Sequence, residues 1–274
     1  MTAKFLIVGA SSGTGIHLTE QLLSKSCEVG IVIRNTTKAK EIFKSKYDTL
    51  KTVVNYEFGV SKDNSQLEKA LAWADVIINN MGPVYGSNSQ VATFDSMCEL
   101  INLIQKLKDF TNKKFIMISS LLVTSPYHPI SWILNTIIPY VLGWKLLAEN
   151  ELRKSKLNYI IVRPGHLKDG NYGGDLSKLS PVLFSQGDKI RGPIHRENLA
   201  NTIINLVDNK ELRLRTTIDV EECKEKQSFD VSLIKEDDSK SILTNDHFNA
   251  TKNLTIVIYS LVFFLFVYIV YLYK

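Results

Sequence analysis

The strongest constraint on this chain is a glycine-rich turn that follows a short apolar segment near its first residue. Residues 5–8 are apolar and β-branched at the end, a pattern typical of a buried strand. Gly9, Gly13 and Gly15 follow at once, and a helical pattern begins at about Thr14. A strand, a tight glycine turn and a helix N-terminus, in this order, predict a binding site for a dinucleotide pyrophosphate.

The same turn supplies donors for phosphate oxygens. Serine and threonine hydroxyls lie within it, and the first turn of the helix has free backbone N–H groups. We therefore expect cofactor contacts from Gly9, Ser11, Ser12, Gly13, Thr14, Gly15 and Ile16. The alternative is a glycine-rich turn that binds no ligand.

The residue at the end of the second predicted strand, 29–33, bears on the choice of cofactor. A carboxylate about 20 residues after the glycines would bind the ribose hydroxyls of NAD. This chain has Arg34 there, with Lys38 four residues later. Since a guanidinium binds phosphate through paired N–H donors, we expect NADP(H) rather than NAD(H). The alternative is that both side chains are solvated surface cations.

Apolar segments alternate with helical patterns along most of the chain. Further strands are predicted over residues 52–57, 75–79, 115–118, 159–163 and 214–220. This alternation predicts an α/β fold with a Rossmann-like doubly wound parallel sheet, in which ligands bind beyond the carboxyl ends of the strands. The candidate site residues at those ends are Asn80, Gly82, Ser119, Ser120 and Pro164.

The last part of the chain predicts a membrane anchor. Residues 254–273 are apolar and uncharged, and about 20 such residues span the hydrocarbon core of a bilayer. The alternative is a buried core helix. We expect residues 1–222 to form the NAD(P)-binding domain, 223–253 a flexible polar linker, and 254–273 a single transmembrane helix. Because no earlier segment resembles a signal sequence, we expect a tail anchor in the endoplasmic reticulum or outer mitochondrial membrane, with the domain cytosolic.

A second apolar stretch covers residues 126–144. Its prolines, Pro126, Pro129 and Pro139, argue against a regular membrane span. We expect a hydrophobic loop and the start of a helix, which either form a wall of the substrate site or rest on the membrane.

Charge and cysteine usage exclude other classes of function. The net charge is +5, but no basic run is interleaved with aromatic residues, and we therefore expect no nucleic-acid partner. Cys27, Cys98 and Cys223 are far apart, and no two histidines have ligand spacing. We expect a reducing compartment and no metal.

Taken together, these motifs resemble those of the atypical short-chain dehydrogenase/reductases, an NAD(P)H-binding group that includes NmrA-like proteins. The resemblance covers about residues 3–222. It rests on GASSGTG at 9–15, IVIRN at 31–35, ADVIINNMG at 74–82, FIMISS at 115–120, WKLLAENELRKSKLNYIIVRPG at 144–165 and IHRENLA at 194–200. The resemblance implies a Rossmann fold that binds NADP(H).

The resemblance also implies catalytic residues, with one departure. Catalytic members use a serine after the fifth strand and a tyrosine four residues before a lysine that also binds the nicotinamide ribose. Lys145 matches the lysine, and either Ser119 or Ser120 matches the serine. Val141 occupies the place of the tyrosine, and Tyr140 lies one residue away, about 100° around a helix. We interpret Tyr140 as a packed aromatic residue.

Two functions therefore remain open at the level of the sequence. One is an NADP-dependent oxidoreductase that acts on a small carbonyl or alkene. The other is a non-catalytic NADP-binding regulator, or an assembly or interaction protein, that is tethered to a membrane near an unknown partner.

Overall fold

The computed structural model describes residues 3–170, 174–225 and 233–272. The strands within these residues are β1 Lys4–Val8, β2 Glu28–Ile33, β3 Thr52–Asn55, β4 Val76–Asn79, β5 Lys114–Ile118, β6 Asn158–Pro164, β7 Leu167–Lys168, β8 Val182–Ser185, β9 Ile194–His195 and β10 Thr216–Glu222. The α-helices are α1 Thr14–Ser24, α2 Thr36–Phe43, α3 Ser65–Trp73, α4 Ser96–Gln105, α5 Pro129–Ile137, α6 Val141–Lys154, α7 Arg196–Asp208 and α8 His247–Leu272.

The main sheet confirms the predicted doubly wound arrangement. Its strand order in the described part of the chain is β3-β2-β1-β4-β5-β6-β10-β8. All neighbouring pairs are parallel except β10 and β8, which are antiparallel. The sequence did not predict β8, which extends the sheet beyond its last parallel strand. The order reverses between β1 and β4, and in open α/β sheets ligands bind at such a switch point.

Helices cover both faces of the sheet and explain why its strands are almost wholly apolar. One face packs against α1, α2 and α7, and the other against α3, α4 and α6. Each of β1, β4 and β5 is buried over nearly its whole length. Because both faces of a parallel sheet are covered, its strands are continuous apolar runs rather than alternating ones.

The apolar stretch at residues 126–144 is more helical than the sequence predicted. Pro129 is the first residue of α5, where a proline costs no hydrogen bond. The His128 ring accepts a hydrogen bond from the N–H of Ile130 at 3.2 Å and caps this helix. The axes of α5 and α6 meet at 96°, so the two helices do not form one straight span.

The polar segment before the apolar C-terminus is not the flexible linker that we expected, in the part that the structure describes. Ile234 is buried and belongs to the core cluster on the face of the sheet that α1 and α7 cover. The Asp237 carboxylate accepts hydrogen bonds from Arg153, Tyr159 and Thr217 at 2.7–3.2 Å. The charged composition of this segment indicated that it would be solvated. In the structure, one of its acidic residues, Asp237, is instead the acceptor for buried donors. Residues 226–232 of the expected linker lie outside the described residues.

The last helix also begins earlier than predicted. α8 starts at His247 rather than at Leu254, and the side chains of His247, Ala250 and Thr251 are buried against the domain. Beyond this first part its described side chains are exposed and apolar, among them Ile256 and Phe263. Among the described helices, α8 alone is long and apolar enough to cross a membrane by itself. Residues 273–274 lie outside the described residues.

The contacts of Asp237 lead to a stability prediction. We expect Asp237→Ala to lower the free energy of unfolding by about 2 kcal/mol, because it removes an acceptor shared by three buried donors. Unfolding by urea in a mild detergent measures the change. Glu236→Ala, at the exposed neighbouring position, is the matched control and should leave stability within about 0.5 kcal/mol of the wild type. Equal effects of the two variants would contradict the packing described here.

Candidate functional site

The glycine turn between β1 and α1 requires glycine at each of its three positions for a physical reason. Gly9 and Gly13 have φ angles of +82° and +46°, which other residues rarely adopt. Gly15 has no space for a side chain, since a Cβ atom there would lie 2.4 Å from the carbonyl oxygen of Gly9. This close approach brings the first turn of α1 directly against the end of β1.

The side chain of Asn80, at the end of β4, fixes this turn from the neighbouring strand. Its Nδ2 atom donates hydrogen bonds to the carbonyl oxygens of Gly9 at 3.0 Å and Ser12 at 3.2 Å. No side chain of the described residues caps the first turn of α1, which begins directly after Gly13. Within this turn the N–H of Gly15 donates to the carbonyl oxygen of Ser12 at 2.9 Å and that of Ile16 donates to the carbonyl oxygen of Gly13 at 3.3 Å, so the N–H of Thr14 is the helix-end donor that can serve an anion.

A cleft of about 620 Å³ opens beside the turn at the carboxyl ends of β1, β2 and β4. It brings together seven of the predicted cofactor residues: Gly9, Ser11, Ser12, Arg34, Lys38, Asn80 and Gly82. The sequence analysis missed its apolar and aromatic wall, which includes Tyr56, Phe58, Val60 and Val91. The lining of this cleft has the chemistry that the adenosine half of a dinucleotide needs: apolar and aromatic side chains, hydroxyl donors and cations.

The remaining predicted cofactor residues lie outside the cleft lining. Gly13, Thr14 and Gly15 form the start of α1, where Thr14 and Gly15 are buried. The Ile16 side chain packs against the core instead of facing the cleft. Pro164 ends β6, and its carbonyl oxygen accepts a hydrogen bond from the N–H of Leu121 at 2.9 Å. These residues shape the backbone around the site, and any contact with a cofactor would come through main-chain atoms or through Thr14.

Lys145 reaches from α6 to the end of β5. Its Nζ atom donates hydrogen bonds to the carbonyl oxygens of Ile118 at 3.3 Å and Ser119 at 3.2 Å. Burial lowers the pKa of Lys145 to about 8, although the nearby Glu149 carboxylate favours the charged form. These contacts place the amine at the carboxyl end of β5, and burial makes it less basic than an ordinary lysine.

Ser119 is already engaged by another residue. Its Oγ atom donates a 2.5 Å hydrogen bond to Glu149, which is fully buried one helical turn after Lys145. Ser120, whose side chain is half-buried, is the other predicted serine. The interpretation of Tyr140 as a packed aromatic residue is confirmed, because its ring lies 5.0 Å from that of Phe248.

The sequence analysis missed the buried ion network to which Glu149 belongs. Arg163 donates to both carboxylate oxygens of Glu149 at 3.0 and 2.6 Å, and Arg153 donates at 3.0 Å. Burial would raise the pKa of Glu149, but the two guanidinium groups lower it to about 2. The signal was present in the sequence, since Glu149 and Arg153 have helical i, i+4 spacing and Arg163 interrupts an apolar strand.

A further cation, Arg196 at the start of α7, also lies beside the glycine turn. Its Nε atom is 3.2 Å from the position that a Cβ atom on Gly13 would occupy. Its Nη1 atom donates to Asp169 at 2.5 Å. The sequence analysis used the segment around Arg196 only as part of the resemblance. In the described part of the chain, no group of three His, Cys, Asp or Glu residues could bind a metal ion.

Comparison with known proteins identifies the family. A family model described as NAD(P)H-binding matches residues 9–210. The chain belongs to this NAD(P)H-binding family, and the expected atypical short-chain dehydrogenase/reductase, NmrA-like, type is confirmed. An uncharacterized chloroplastic protein of Arabidopsis thaliana is 28% identical over 222 residues, which cover 77% of this chain and 74% of the relative.

Solved structures share the fold at lower sequence identity. A Bacillus halodurans protein described as an NAD-dependent epimerase/dehydratase is 24% identical, has a TM-score of 0.65, and aligns over 82% of this chain and 96% of its own. A short-chain dehydrogenase/reductase of Veillonella parvula, solved with NADP, is 20% identical, with a TM-score of 0.63 and coverage of 84% and 100%. ChuY, an anaerobillin reductase of Escherichia coli O157:H7, is 21% identical, with a TM-score of 0.61 and coverage of 82% and 100%.

The buried network leads to a pH-dependent prediction. Glu149→Gln leaves two buried arginines without their shared carboxylate, and we expect the Tm in mild detergent to fall by on the order of 10 °C at pH 7. Because the folded pKa of Glu149 lies below its ordinary value of 4.5, its contribution is complete above that pH and is lost as the pH falls towards about 2. The difference in Tm between the variant and the wild type should therefore shrink over this interval. Glu151→Gln, at a half-exposed position on the same helix, is the control, and a difference independent of pH would contradict the assignment.

Proposed function

We propose that this chain is a membrane-anchored, NADP(H)-dependent oxidoreductase that acts on a small carbonyl or alkene. The observation that carries the proposal is that three features lie along the same edge of the sheet. They are the glycine turn, the cleft with Arg34 and Lys38, and the Lys145 amine. A dinucleotide bound along this edge would extend from the cations at β2 towards Lys145 at β5.

The preference for NADP(H) rests on the charges at the far end of the cleft. Arg34 and Lys38 both line it, and both are exposed enough to bind an anion. Glu57 also lines the cleft, and its Oε1 atom lies 4.0 Å from Nη1 of Arg34 in an exposed ion pair. Because a 2′-phosphate carries more negative charge than a hydroxyl group, two cations against one carboxylate favour NADP(H).

The residues near β5 would orient the substrate and the nicotinamide end. Bound NADPH supplies a hydride in this class of reaction. Lys145 would bind ribose hydroxyls, and its positive charge would stabilise negative charge that develops on a substrate oxygen. Ser120 would donate a hydrogen bond to that oxygen. We do not assign the proton donor to Tyr140, because its ring packs against Phe248. ChuY, which shares the fold, acts as a reductase, and this likeness supports the class of reaction alone.

A second candidate is a non-catalytic NADP(H)-binding regulator or assembly protein. Two observations favour this candidate. Val141 occupies the usual place of the tyrosine, and the Ser119 hydroxyl donates a hydrogen bond to Glu149. In this case the cofactor would serve as a structural ligand or redox signal, and the anchor would keep the domain close to a protein partner.

Membrane anchoring through α8 is part of both candidates. The exposed apolar side chains of α8 support this anchoring, because outside a membrane their apolar surface would be in contact with water, which is unfavourable. We propose a single-pass C-terminal anchor with the domain in the cytosol, on the endoplasmic reticulum or the outer mitochondrial membrane.

The first prediction of this proposal concerns the choice of cofactor. We expect Arg34→Ala to weaken NADPH binding about 10- to 100-fold, because it removes a charged donor to the 2′-phosphate, and to leave NADH binding unchanged. Titration calorimetry on the full chain in detergent measures both. Lys40→Ala, on the same helix as Lys38 and outside the cleft lining, is the matched control. Equal losses for NADPH and NADH would contradict the proposed role of Arg34.

The second prediction separates the enzyme from the non-catalytic protein. Across a panel of small carbonyls and enones, we expect NADPH oxidation that falls about 100-fold or more in Lys145→Met. Lys154→Met, an exposed position on the same helix, should retain activity. Since the cationic form predominates below a pKa of about 8, turnover should decrease as the pH rises through that value. A wild type that binds NADPH and oxidises none of the panel would favour the regulator.

The third prediction concerns the anchor. We expect the full chain to stay with membranes after alkaline carbonate treatment, whereas a chain that ends at Lys252 should be released, because it keeps the buried start of α8 and lacks its exposed apolar part. Protease added to intact membranes should digest the domain. A domain that is protected from the protease would contradict the cytosolic topology.

A further inference from the structure

One face of α5 is apolar and open to solvent. Ile130, Ile133 and Ile137 are 51%, 46% and 55% exposed, and their spacing places them on the same side of the helix. Tyr127, just before the helix, is 71% exposed. Residues 121–144 contain no Asp, Glu, Lys or Arg, so the surface around these isoleucines has no charged side chain of this segment. A contiguous apolar surface of this kind indicates an interaction site.

The opposite side of α5 makes hydrogen-bond contacts with the start of α8. Asn135, which is buried, lies between the two helices: its Nδ2 atom is 3.0 Å from Nδ1 of His247, and its Oδ1 atom accepts from the N–H of Leu142. The other ring nitrogen of His247, Nε2, lies 2.7 Å from the carbonyl oxygen of Val123. These buried polar contacts fix α8 to α5 and to the segment that follows β5.

Aromatic packing strengthens the same junction. The ring of Phe248 lies 5.0 Å from that of Tyr140 and 4.8 Å from that of Trp144. Gly143 permits this approach, because a Cβ atom there would lie 3.2 Å from Cβ of His247. The helix that leaves the domain therefore starts from a packed joint beside α5, and the described chain has no free linker at this point.

We propose that the exposed face of α5 lies in the interfacial region of the same membrane leaflet that α8 enters. This inference rests on the membrane anchor proposed above. Since α8 is fixed to α5, a bilayer that surrounds α8 would be next to the three isoleucines, and the uncharged surface makes contact with lipid favourable. The occupant is lipid rather than a protein, because α5 packs against the start of α8, and the described side chains further along α8, such as Ile256 and Val257, are themselves apolar and exposed.

The proposed contact fixes the orientation of the domain. α5 follows β5 at the carboxyl edge of the sheet, the edge that also carries Lys145. The membrane would therefore lie beside the end of the site where a substrate binds, and a lipid-soluble substrate could enter from the bilayer without crossing bulk water.

Depth-dependent fluorescence quenching tests this inference. The full chain, with Cys27, Cys98 and Cys223 replaced by serine, carries a bimane label on Thr136→Cys, an exposed position one turn after Ile133 at the border of the isoleucine face. It is reconstituted into phosphatidylcholine vesicles that contain nitroxide-labelled lipid. The control label is on Glu41→Cys, an exposed position of α2, which packs at the β2 end of the sheet. We expect several-fold stronger quenching at position 136 than at 41.

A charged variant completes the test. Ile133→Asp with Ile137→Asp should abolish the quenching at position 136 while the chain stays resistant to carbonate extraction. Weak, equal quenching at both labels in carbonate-resistant chains would overturn the inference and leave the anchor in place. Chains that carbonate extracts would overturn both. Excimer emission from pyrene at position 136, without quenching by lipid, would assign the face to a second copy of this chain and likewise overturn the inference.

Discussion

The close approach of α1 to the end of β1 is the contact on which the cofactor site depends. Only a residue without Cβ can occupy position 15, because the carbonyl oxygen of Gly9 lies where a side chain would begin. The Asn80 amide then ties the turn to β4, and the residues of the turn that precede α1, Ser11 and Ser12, line the cleft at the switch point of the sheet. The backbone thus provides the anion-binding groups, and side chains at the neighbouring strand ends provide charge and shape.

A second constraint acts at the other end of the site. Glu149 joins three elements, because it accepts hydrogen bonds from Ser119 after β5, Arg153 in α6 and Arg163 in β6. Asp237 extends the network to the segment before α8. Such a network fixes the position of α6, and therefore that of Lys145, but it also uses a serine hydroxyl that related catalytic sites direct at substrate. The same contacts that position the lysine thus remove one of its expected partners.

The sequence predicted what depends on local pattern and missed what depends on contacts between distant segments. The glycine turn, the parallel strands and the positions of Arg34 and Lys145 follow from motifs whose spacing reflects backbone geometry. The packing of residues 233–246 could not be predicted, because a charged composition indicates solvation unless the buried partners of Asp237, such as Arg153 and Tyr159, are known. The early start of α8 was missed for a related reason: His247 is polar, and it is buried only because Asn135 and Val123 supply hydrogen-bonding partners.

The most direct test of the account is a titration of NADPH into the full chain and its Ser12→Glu variant. Ser12 lies in the exposed part of the glycine turn and lines the cleft, so a carboxylate there would repel the pyrophosphate without altering the buried structure. The account predicts that the wild type and Ser12→Ala bind NADPH and that Ser12→Glu does not, with the same Tm for all three proteins in the absence of NADPH. Binding of NADPH by Ser12→Glu with wild-type affinity would contradict the assignment of the glycine turn as the phosphate site.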